Sequence, residues 1–122
     1  MRNMIKAAAF IAASLSLAAP ALAHPKLLSS TPKANGTASN IKQITLTFSE
    51  GLVAPVSGAD LNMTMANDIM SVPGLTTAVG KDGKTLVATL AKPLPAGKYS
   101  LNWHVVSTDT HRITGKLAFT VR

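Results

Sequence analysis

Tyr99, Leu101, Trp103 and Val105 alternate with Ser100, Asn102 and His104 along one unbroken run. A period of two is the mark of a strand with one dry face and one wet face. The pattern recurs. Ile44, Leu46 and Phe48 alternate with Thr45 and Thr47 inside 41–48, and Leu117, Phe119 and Val121 keep the same spacing near the C-terminus. Further short runs over 26–30, 60–65, 75–79 and 85–90 are separated by Gly, Pro, Asn and Asp. Lys81-Asp82-Gly83-Lys84 carries a hairpin signal, and 92–97 reads as a Pro-Gly turn. Nothing beyond residue 23 has a helical period. The seven runs predict an all-β fold, a seven-stranded Greek-key, immunoglobulin-like sandwich or barrel.

The first 23 residues read differently. Arg2 and Lys6 precede an apolar stretch over 7–19, and Ala21-Leu22-Ala23 is a small-x-small cleavage site. That is the grammar of a secretory signal peptide. The stretch is shorter than the roughly 20 apolar residues of a membrane span. Residues 1–23 are therefore expected to be cleaved, leaving 24–122 as one exported, soluble domain with one core. Cysteine is absent, so packing rather than disulfides must hold the fold in an oxidising compartment. Any bound metal must take nitrogen, oxygen or thioether ligands. The basic residues beyond the leader are scattered singly among 5 Asp and Glu. They form no stripe with aromatic residues, which excludes a nucleic-acid surface.

Cleavage after Ala23 would make His24 an N-terminal histidine. Its free α-amine and imidazole Nδ1 can close one chelate ring on a metal ion. Pro25 has no N–H, so the second residue's amide cannot become a further ligand. The pincer therefore needs partners from elsewhere in the fold. Asp109 and His111 supply candidates. In extended chain, residues two apart project to the same side, so carboxylate and imidazole can converge. The combined set is the His24 amine and imidazole, the His111 imidazole and the Asp109 carboxylate. Three nitrogens and one oxygen suit tetragonal Cu(II), which also heads the divalent affinity order. These ligands must be deprotonated, so affinity should fall as pH drops.

The start His24-Pro25-Lys26-Leu27, the step Ser30-Thr31-Pro32, Phe48-Ser49-Glu50, and the run from Ser107 to Gly115 together resemble the CopC family of periplasmic copper-binding, copper-resistance proteins. The resemblance covers essentially all of 24–122. It implies a Greek-key β-barrel holding one Cu(II) through His24, Asp109 and His111, with Glu50 nearby to orient the amine or a ligand. It also implies a periplasmic location and a separate inner-membrane partner of the CopD permease type. A monomer meets these needs.

Some members of that family carry a Met-rich loop with a histidine that binds Cu(I). The matching stretch here holds Met63, Met65 and Met70 but no histidine. Met63 and Met65 share a strand face with Leu61, the pattern of core-filling methionine, so Cu(II) alone is expected. His104 falls on the wet face of its strand and reads as an ordinary surface histidine. Trp103 falls on the dry face. Two other functions compete with copper carriage. One is a histidine-brace copper redox enzyme, although the aromatics Phe48, Tyr99, Trp103 and Phe119 are mostly assigned inward. The other is an immunoglobulin-like structural or adhesion module. No serine elbow or phosphate loop is present, and the chain is not expected to be an enzyme.

Overall fold

The computed structural model describes residues 24–122; the leader read over 1–23 lies outside them. Nine strands form: β1 (Leu27–Thr31), β2 (Thr37–Ala38), β3 (Gln43–Phe48), β4 (Gly58–Met65), β5 (Asp68–Ser71), β6 (Leu75–Val79), β7 (Thr85–Leu90), β8 (Gly97–Val106) and β9 (Arg112–Val121). They make a four-stranded sheet ordered β1-β3-β7-β6 and a five-stranded sheet ordered β2-β9-β8-β4-β5. With β2 and β5 set aside as edge additions, this is the strand order of an immunoglobulin sandwich. The chain visits the second sheet briefly at β2, and it changes sheets again between β3 and β4, between β5 and β6, and between β7 and β8.

The alternation explains why the sheets close on each other. Ile44, Leu46 and Phe48 of β3 and Leu86, Ala88 and Leu90 of β7 are buried from one side. Leu61 of β4, the inward residues Tyr99 to Val105 of β8, and Leu117, Phe119 and Val121 of β9 meet them from the other. Each fully buried large side chain contributes about 1.5–3 kcal/mol of transfer free energy. The β6–β7 turn is the predicted hairpin. Asp82 accepts hydrogen bonds from the Thr85 hydroxyl (2.6 Å) and the Lys84 N–H (2.9 Å). The Thr85 hydroxyl first, and then the Lys84 N–H, hold its carboxyl below the ordinary range. Gly83 takes the left-handed conformation there, at φ +71°.

At the start of β8 the Tyr99 hydroxyl donates to the Pro95 carbonyl at 2.6 Å. This is the tyrosine corner of immunoglobulin-type sandwiches, at the same place in the strand order. Its ring stacks on Phe119, with centroids 5.6 Å apart. Tyr99→Phe keeps the stack and removes one hydrogen bond. It is expected to lower stability by about 1 kcal/mol, read as a reduced urea midpoint followed by Trp103 fluorescence.

The strand count is nine, not seven. All four residues of β5 are exposed, so no alternation betrays it; it exists because it pairs with β4. β2 is a two-residue parallel bridge to β9, too short to leave a periodic trace. Met65 also departs from expectation. It is 47% exposed: it ends β4 and pairs with exposed Asp68 of β5 at the tip of the hairpin. Met63 does pack against the core; its terminal methyl lies over Gly97, where a Cβ would stand 2.5 Å away. His104 is half-buried rather than freely exposed. Its ring covers Gly58 of β4, and a Cβ there would stand 3.3 Å from Cε1 and Nε2.

Candidate metal centre

Three segments meet at one end of the sandwich: the arm before β1, the loop after β3, and the turn between β8 and β9. Pro25 is fully buried and anchors the arm. The next residue is clasped twice by the loop. The Lys26 N–H donates to the Ser49 hydroxyl and the Ser49 N–H donates to the Lys26 carbonyl, both at 2.9 Å. His24 is thus exposed yet sits one residue from a buried anchor. The loop is tied in turn to the β8–β9 turn. The Thr108 N–H donates to the Gly51 carbonyl (3.0 Å), and the Val53 N–H donates to the Val106 carbonyl (2.8 Å).

The turn closes on itself through backbone bonds. The Ser107 N–H donates to the His111 carbonyl (2.9 Å), and the Thr110 N–H donates to the Ser107 carbonyl (2.8 Å). Thr110 has φ +74°, a rare conformation for a β-branched residue that costs on the order of 1–3 kcal/mol and collects at functional sites. Asp109 and His111 do converge, as the sequence suggested, but through this left-handed kink rather than along extended chain. Asp109 Oδ2 lies 2.9 Å from His111 Nδ1. Oδ1 accepts from the Ser107 hydroxyl and, at 3.2 Å, from the His111 N–H. The Ser107 hydroxyl and then the His111 ring pull the Asp109 carboxyl down from 3.8 to about 2. Asp109 is therefore a carboxylate at any ordinary pH.

That contact has a chemical consequence. Two donor atoms bound at about 2.0 Å at adjacent corners of a square stand about 2.8 Å apart, so Asp109 Oδ2 and His111 Nδ1, at 2.9 Å, already hold the spacing of two neighbouring ligands. The His24 and His111 ring centroids stand 4.6 Å apart with planes at 66°. An imidazole bound at about 2.0 Å has its ring centre about 3.1 Å from the metal. Two such rings at adjacent corners of a square would then lie about 4.4 Å apart. The observed separation is close to that value.

His111 is the shared member of both pairs. Among the described residues, no three His, Asp or Glu side chains already enclose a common point. The set found by sequence includes a fourth donor, the α-amine of His24, which a continuous chain holds as an amide. Glu50 lies half-buried in the loop between Ser49 and Gly51 and makes no ion pair among the described residues. Ser107 and Ser49 escaped the sequence reading. Both stood inside the recognised motifs, but a serine that serves a neighbour's carboxylate or backbone leaves no spacing of its own.

A CopC domain profile matches residues 27–122. Copper resistance protein C of Xanthomonas campestris pv. juglandis is 42% identical over 125 residues, covering 99% of this chain and 97% of that protein. The protein of the same name from Pseudomonas syringae pv. tomato is 45% identical over 115 residues, covering 91% and 90%. Among solved structures, PcoC, a methionine-rich copper resistance protein from Escherichia coli, superposes with a TM-score of 0.75 at 44% identity, covering 82% of this chain and all of that one. CopC from Methylosinus trichosporium OB3b superposes at 0.68 with 25% identity, covering 80% and 93%. With a profile match over nearly all of the described residues and relatives more than 40% identical along almost their whole length, the chain belongs to the CopC family.

Proposed function

We propose that this chain is a copper-binding protein of copper resistance, working in the periplasm after loss of residues 1–23. It holds one Cu(II) through the His24 amine and imidazole, the His111 imidazole and the Asp109 carboxylate, with Glu50 at the rim to orient a ligand. It sequesters the ion or passes it to an inner-membrane permease of the CopD type. It acts as a monomer and turns over no substrate. The observation that carries this reading is the His24–His111 ring pair beside Asp109, on an arm anchored by buried Pro25. The relatives' names in copper resistance agree with it.

Cu(I) does not fit as well. Met65 and Met70 are 47% and 51% exposed without a histidine beside them in the hairpin, and Met63 packs inward. A polysaccharide-attacking redox enzyme would want a flat aromatic face, but Phe48, Tyr99, Trp103 and Phe119 are all buried. A purely structural module predicts no specific copper site. Titration of the chain beginning at His24 should give one tight Cu(II) per molecule with a type-2 paramagnetic resonance spectrum showing nitrogen hyperfine structure. Asp109→Ala should weaken binding by more than the roughly 10- to 100-fold that loss of a supporting residue costs, while Met63→Leu should leave it unchanged. Equal, weak binding by all three would remove the copper assignment.

A further inference from the structure

Ser107 is the one polar residue among the buried side chains described, at 0% exposure. A buried hydroxyl is costly unless it is bonded, and this one has a single proton to give. That proton goes to Asp109 Oδ1; the other acceptor, the His111 carbonyl, is 3.4 Å away. The turn does not need this bond to close, since the Ser107 backbone already bonds both His111 and Thr110. What the bond fixes is the carboxylate. Asp109 is exposed, and apart from the longer bond that the same Oδ1 accepts from the His111 N–H at 3.2 Å, no other donor fixes that oxygen. With Oδ1 pinned from below, Oδ2 faces His111 Nδ1.

We propose that Ser107 is a positioning residue for metal capture, its buried hydroxyl holding Asp109 with Oδ2 beside His111 Nδ1, where carboxylate and imidazole can meet one ion. The inference rests on the copper reading of His24, Asp109 and His111. A double-mutant cycle tests it, with Cu(II) affinity measured for the parent, Ser107→Ala, Asp109→Ala and the double variant, all beginning at His24. Ser107→Ala removes one atom and strands no charge, and Trp103 emission with a urea midpoint verifies each fold. Ser107→Ala is expected to weaken binding about tenfold and to shift the copper hyperfine splitting. In the Asp109→Ala background it should change neither. An equal loss in both backgrounds, or no loss in either, overturns the proposal. Parent-like affinity for Asp109→Ala alone would instead overturn the ligand role of Asp109, and the proposal with it, so the two failures are told apart.

Discussion

A chain that keeps residues 16–23 ahead of His24 is expected to bind Cu(II) about 10²- to 10⁴-fold more weakly than one that begins at His24, with an unchanged fold. A chain that begins at His24 has, in place of an amide nitrogen whose lone pair is delocalised into the carbonyl, an amine that can donate. The amine is tethered to an imidazole already in place, so its gain is that of an intramolecular second ligand at high effective concentration. Pro25 and the Lys26–Ser49 clasp hold His24 in place at the end of the sandwich. The length of the added segment matters. One residue before His24 would not be a clean control, because an amine, a deprotonated amide and the imidazole of a second-position histidine form a chelate of their own. A segment of several residues carries the new amine away from the site. Isothermal titration with a competing chelator measures the difference, and paramagnetic resonance counts the nitrogens. Equal affinity for both forms would remove the amine from the ligand set and leave His24 as a simple imidazole.

Much of this arrangement could be read from the residues, for reasons that particular positions make plain. β8 was legible because burial of one sheet face forces Tyr99, Leu101, Trp103 and Val105 to alternate. β5 was not, since Asp68 to Ser71 bury neither face and only pairing with β4 makes them a strand. Met63 and Met65 looked alike because periodicity gives a face but not a depth. The first packs against the core, while the second ends its strand at an exposed hairpin tip. The metal-binding candidates were visible because few residue types carry that chemistry and cysteine is absent. Their supports were hidden. Nothing in the letters shows that Pro25 is buried, that Ser49 clasps Lys26, or that Thr110 turns left-handed to bring Asp109 back to His111. Those are facts of three segments meeting, and a linear pattern does not record them.

Gly115→Ala is expected to destabilise the domain by about 3 kcal/mol, the upper end of the usual range for overpacking. Gly115 of β9 lies directly across from Trp103 of β8, and the indole occupies the space a side chain would fill. A Cβ there would stand 2.3 Å from Cζ2 and 2.7 Å from Cε2, against about 3.5–4.0 Å for carbon atoms in contact. The ring must therefore move by more than an ångström. It has little room, because Phe48 meets it edge-on with centroids 5.1 Å apart and is itself fully buried. Alanine suits a strand better than glycine does, but that gain is a few tenths of a kcal/mol and cannot offset the clash. The indole Nε1 is buried without a partner among the described residues, so no hydrogen bond holds the ring back. It should tilt outward, giving a red-shifted emission along with a lower urea midpoint. Phe48 leads straight into Ser49, which clasps the arm carrying His24. Displacing the indole should then also weaken Cu(II) binding in the variant that remains folded. An unchanged midpoint and emission would mean that Trp103 does not lie over Gly115.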